Sequence, residues 1–143
     1  MRPRAAAFLL LLPVLSCGGA SPSDSSTACV SATPTQLSAI SDGLAGGGSL
    51  GRSSSVLISI AEDGEPIEVV AAQIATGPHA GTVGTWWIVG RDPLHVRSIM
   101  AVNAVAQVAS SWGSAAQPGS QAYEAMQSVD GSPQQADAVG CLT

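Results

Sequence analysis

The stretch Gly46-Gly47-Gly48-Ser49-Leu50-Gly51 carries the most explicit chemical pattern in this chain. Read from Gly47 it is Gly-x-Ser-x-Gly, which in a nucleophile elbow exposes a serine hydroxyl on a sharp turn. Asp63 and His79 follow in the order nucleophile, acid, base. A serine attacks a carbonyl only when a base takes its proton, and that base needs a carboxylate to orient its ring. Ser49, Asp63 and His79 are therefore the candidate catalytic residues. Read from Gly46 the same stretch is Gly-x-Gly-x-x-Gly, a phosphate-cradling pattern when it joins a strand to a helix. Both patterns need a strand entering and a helix leaving. Here the order is reversed, and glycine richness alone produces both matches.

Metal chemistry has less to draw on. His79 and His95 lie sixteen residues apart with no partner one helical turn away and no carboxylates clustered near them, so no metal site is expected. Glu62, Asp63, Glu65 and Glu68 read as a solvated hairpin tip and strand edge, and the ligand order of a calcium loop is absent. No cofactor is expected. Trp86 and Trp87 are the candidate ligand-binding aromatics, because neighbouring strand residues point to opposite faces and only one of them can enter the main core. The other either lies under a loop or terminal helix, or offers a surface for sugar or peptide, with Arg91 and Arg97 as nearby cations.

The elements that position these residues follow from capping and periodicity. Thr33-Pro34-Thr35-Gln36 supplies an N-cap hydroxyl, a proline at N1 and a glutamine at N3. Leu37, Ile40 and Leu44 then recur on one face up to a stop at Gly43 or Gly46. Ser132-Pro133-Gln134-Gln135 repeats the device before Ala136 and Val139, and the two capped helices are expected to pack together. Between them, Val56, Ile58 and Ile60 alternate, and IEVVAAQI, TVGTWWIV and the segment from His95 to Val102 follow after short turn-rich connections. Such connections suit antiparallel neighbours and cannot hold a crossover helix. Asn103 caps a further helix with Val105, Val108, Ala109 and Trp112 on one stripe, which places Trp112 in the core. Tyr123 to Val129 reads equally as strand or helix. The expected fold is α+β: a four-stranded antiparallel meander with two or three short helices packed on one face.

The first sixteen residues have a different character. Arg2 and Arg4 precede an apolar run from Ala5 to Leu15, too short to span a bilayer core of roughly 30 Å and suited to a secretory signal. Its end, Val14-Leu15-Ser16-Cys17, resembles the lipobox of bacterial lipoproteins. That resemblance implies cleavage before Cys17, lipidation of its sulfur and anchorage at the outer face of the plasma membrane. The runner-up is ordinary cleavage after Gly18-Gly19-Ala20, giving a soluble secreted protein. Residues 18–28 contain no large apolar side chain and read as a tether of about 15–20 Å between Cys17 and a domain over 29–143. Cys29 and Cys141 remain as an even pair, which in an exported chain reads as a disulfide stapling the domain's ends.

Charge narrows the partners. The 143 residues carry five arginines, no lysine and ten acidic residues, a net charge of -5. Removal of residues 1–16 takes two arginines and no acid, leaving -7. Nucleic acid is excluded, since phosphate binding needs a cationic face. From Cys29 onward the chain resembles small secreted or lipid-anchored actinobacterial proteins. The similarity lies in an early cysteine before a helix, the VVAAQI and GTWWIV strands, the VNAVAQVASSWG segment and a last helix ending in Cys-Leu. It implies no catalytic residue. The expected function is a non-catalytic binding domain on an envelope lipoprotein, attached to the membrane by lipid and facing an envelope protein or cell-wall glycan. The alternative is a small secreted hydrolase using Ser49.

Overall fold

Thr33 opens the first helix with the reciprocal cap its sequence predicts. Its hydroxyl accepts from the Gln36 backbone N–H at 3.2 Å, and the Gln36 side chain accepts from Thr33 N–H at 2.9 Å. The computed structural model describes residues 29–91, 96, 98–115 and 121–142. The signal, Cys17, the tether, His95 and Arg97 lie outside them.

Helix α1 runs Pro34–Asp42, followed by strands β1 (Leu50–Ile60), β2 (Pro66–Ile74), β3 (Val83–Val89) and β4 (Ser98–Ala101). Helices α2 (Ala104–Ala109), α3 (Gln121–Val129) and α4 (Pro133–Gly140) complete the order, with short 3-10 turns at Ala45–Gly47 and Ser111–Ala115. The four strands form one antiparallel sheet in the order β1-β2-β3-β4, the expected meander. Tyr123 to Val129 is helical.

The helices are distributed differently from expectation. On one face Val70, Ala72 and Ile74 of β2 join Trp86 and Ile88 of β3 beneath Ile40 of α1 and Ala106 and Ala109 of α2. On the other, Val69 and Ala71 join Val56 of β1 beneath Val129 of α3, Ala138 of α4 and Leu142. The helices thus cover both faces, and the two proline-capped helices α1 and α4 lie on opposite sides of the sheet. The reason is in β2, where Val69 to Ala72 are all fully buried: an apolar run in place of alternation leaves neither face for solvent.

Polar side chains pin each layer. Ser54 of β1 donates to the Ala138 carbonyl of α4, and Gln135 Nε2 donates to Thr85 Oγ1 at 2.9 Å. Asn103 caps α2 by accepting from Ala106 N–H at 2.9 Å. The same side chain accepts from Thr85 N–H at 3.1 Å and donates to the Val83 carbonyl at 3.0 Å, continuing the edge of β3 where β4 has ended. Trp86 folds back over Gly84 of its own strand, and its indole N–H reaches Ser110 Oγ at 3.3 Å.

Cys29 and Cys141 are joined, with their Cα atoms 5.9 Å apart across 112 positions of sequence. Val30 exchanges two backbone hydrogen bonds with Ser55, so the bond fastens a short strap on the β1 edge to the end of α4.

Two outcomes are expected. Replacing both cysteines by serine should lower stability by about 2–4 kcal/mol in urea unfolding, because the unfolded chain regains the freedom of a long loop. Gly84→Ala should cost about 1–3 kcal/mol in the same assay, since a Cβ there would lie 2.2 Å from the Trp86 ring, which has no free space to move into.

Candidate functional site

Glu68 sits on β2 in register with Val70, Ala72 and Ile74 and is fully buried. A carboxylate in that position must be paired and hydrogen-bonded or it would take up a proton. Arg91, just beyond β3, supplies the pairing. Its Nε donates to both Glu68 oxygens at 2.9 and 2.8 Å, and one terminal nitrogen closes the fork on Oε1. Gln36 of α1, also fully buried, donates from Nε2 to Glu68 Oε2 at 2.7 Å and to the Gly90 carbonyl at 3.1 Å. Thr33 Oγ1 donates to the Arg91 carbonyl at 2.7 Å. The start of α1, the middle layer and the end of β3 are thereby tied through one carboxylate. Burial alone would push that carboxyl up, but hydrogen bonds from Arg91 and Gln36 and the guanidinium charge outweigh it and hold it below its ordinary value of 4.5.

This network corrects the reading of Glu68 as a solvated hairpin acid; only Glu62, Asp63 and Glu65 lie at the partly or fully exposed tip. The signal was period two: Glu68 falls on the same face as Val70, Ala72 and Ile74. Arg91, a candidate for ligand binding, has its guanidinium engaged by Glu68.

The structure does not bring the three candidate catalytic residues together. Ser49 precedes β1, where its hydroxyl lies 2.8 Å from that of Thr76 and its N–H donates to Thr76 Oγ1 at 3.0 Å. His79 is in the β2–β3 connection at that end. Asp63 is in the β1–β2 turn at the opposite end, separated from Ser49 by the whole of β1, roughly 30 Å of extended chain. No carboxylate at that position can orient a base for Ser49. Among the described residues, no three or more His, Cys, Asp or Glu side chains converge.

Trp86 and Trp87 do point to opposite faces, but neither is an open platform. Trp86 is wholly inside the first core and Trp87 packs, half-buried, against the second. Trp112, expected in the core on a helical stripe, lies beyond the end of α2 in the following 3-10 turn. Its ring rests over Gly43, its N–H donates to the Ile40 carbonyl at 3.2 Å, and one side lines a surface depression of about 200 Å³ with Ala39, Asp42, Val96, Ser98 and Ile99. Trp112 thus packs against the first core, as its spacing implies, but only partly buried, and its remaining side lines the surface.

Comparison with protein-family models, with curated proteins and with solved structures finds no match to this chain.

The ion pair predicts an asymmetry. Arg91→Met leaves a buried, unpaired carboxylate and should cost about 3–5 kcal/mol at pH 7. Glu68→Gln leaves an Arg91 side chain that is 40% exposed and can be hydrated, and should cost about 1–2 kcal/mol. Below pH 4.5 the unfolded chain protonates Glu68 while the folded chain does not. The pair's contribution in the native protein therefore falls with pH from there downward. In Arg91→Met the unopposed burial raises the group instead, so acidification should restore stability relative to native. Urea unfolding followed by tryptophan fluorescence at pH 7 and pH 4 reads both signs.

Proposed function

We propose that this chain is an exported, lipid-anchored envelope protein whose disulfide-bonded domain binds another envelope component and performs no catalysis. The observation that carries the reading is the Cys29–Cys141 bond, which belongs to an oxidising compartment, behind a leader that ends on a third cysteine. Ser16 and Cys17 then mark the cleavage point, and two or more acyl chains on Cys17 hold the protein stably where one chain binds reversibly. With a charge of -7 after cleavage, the domain is repelled by an anionic lipid surface and stands off on the tether of residues 18–28. The resemblance to small secreted or lipid-anchored actinobacterial proteins supports the same placement. The separation of Ser49 from Asp63 supports binding over hydrolysis.

Intact mass and membrane fractionation, with and without reductant, test the reading in one experiment. The expected species begins at Cys17, carries acyl mass, partitions with membranes and gains two hydrogens on reduction. Cys17→Ala should release it from the membrane fraction. Full-length protein in the cytosol with Cys29 and Cys141 as free thiols overturns it, and an unacylated species beginning after Ala20 replaces the anchor with secretion.

A further inference from the structure

The binding-domain reading leaves its ligand class open, and the inference here rests on that reading. Thr35, Ser38, Ala39 and Asp42 recur along α1 at the spacing of one helix face. Val96 and the start of β4 at Ser98 and Ile99 stand opposite, and Trp112 closes one end. The depression between them continues past Thr35 and Ser38 into a wider, more open trough of about 500 Å³. Its walls are of two kinds. Ala39, Val96, Ile99 and the Trp112 ring are apolar, and the ring cannot swing away, because its N–H is bonded to Ile40 and its face is against Gly43.

Among the described residues lining the trough, Asp42 is the one that is charged. It is the last residue of α1, it is exposed, and its carboxylate has no partner among the described residues. The C-terminal end of a helix adds negative potential at that point, and the mature chain's charge of -7 adds more at long range. The charge of the described lining and of the chain as a whole disfavours an anion here. A cation on an aliphatic stem satisfies both kinds of wall: the stem covers apolar surface, and the head meets a carboxylate beside an indole ring.

We propose that this trough binds a basic segment of a partner protein, seating a lysine or arginine side chain with its stem on Ala39, Val96 and Ile99 and its charge at Asp42 beside Trp112. The segment lies along α1, where Thr35 and Ser38 offer hydroxyls to its backbone.

The test is an NMR titration of the disulfide-bonded chain with the blocked peptide acetyl-Ala-Ala-Arg-Ala-Ala-amide, its norleucine counterpart, and triacetylchitotriose. Saturable amide shifts are expected at Ala39, Asp42, Val96 and Ser98 with the arginine peptide alone, weakening as salt is raised. Asp42→Asn, at an exposed position outside both cores, should weaken that binding by about tenfold. Glu62→Gln in the β1–β2 turn, outside the residues that line the trough, should leave it unchanged, and Ser38→Trp, which fills the trough from its solvent side, should abolish it. Equal shifts with norleucine, shifts that map elsewhere, or indifference to Asp42→Asn overturn the proposal. Chitotriose shifts in the trough without arginine shifts overturn the cationic assignment in favour of a glycan and leave the binding-domain reading intact. Failure of membrane partitioning, read by fractionation, overturns the anchor and leaves the titration result standing.

Discussion

A sheet with apolar side chains on both faces has to be covered twice, and most of this architecture follows from that requirement. In β2 the run Val69-Val70-Ala71-Ala72 sends valine and alanine alternately to the two sides, and all four are fully buried. A chain with so few large aromatics covers such a sheet by laying short helices on each face, α1 and α2 above, α3 and α4 below. Short helices bring little stability of their own. Each is therefore fixed by specific contacts: the capping box of α1, Asn103 at the start of α2, and the bonds from Ser54 and Thr85 to α4. The disulfide belongs to the same logic, because among the described residues α4 is the last cover in chain order and the strap at Val30 is the first to reach the sheet.

The buried Glu68 is the exception that gives this layering its register. An apolar residue there would fill the space under α1, yet it would remove the acceptor that fixes the Arg91 guanidinium and one of the two acceptors of the Gln36 amide. With the carboxylate in place, Gln36, Gly90, Arg91 and Thr33 adopt one arrangement that satisfies the network's donors. The pair stabilises against an unpaired alternative far more than against a well-packed apolar one. Its effect is to select one seating of α1 on the sheet.

What the sequence made legible were the features encoded locally. Caps at Thr33, Asn103 and Ser132 and the turns at Gly64, Gly77 and Gly90 each depend on a few neighbouring residues, and the helix starts and strand connections they imply form where expected, while β1 begins earlier, at Leu50, and β4 is confined to Ser98–Ala101. The disulfide was legible because an even pair of cysteines leaves one intramolecular partner each. The sidedness of the helices was not, because it depends on how an uninterrupted apolar strand divides its neighbours between two faces. The candidate site was the least legible part. Trp112 was assigned to a continuous helix, and the three-residue shortening of α2 that turns its ring toward the surface arises where Ser110 bonds Ala106 and forms a bridge with Leu44.

That shortening links fold to surface chemistry. Leu44 and Ser110 pair as a two-residue bridge, while Gly43 accepts from Ser111, so the chain after α2 is drawn across the end of α1. Trp112 is then delivered over Gly43, the one residue type at that position that leaves room for an indole. The same contact that closes the upper core thus leaves the Trp112 ring lining the surface with Asp42, at the end of the helix that the Glu68 network holds against the sheet. The network fixes where α1 begins, and the bridge at Leu44 fixes where it ends. Helix α1 is thus fixed at both ends, so a side chain seated along it in the proposed trough would lose its own freedom without having to order that helix as well.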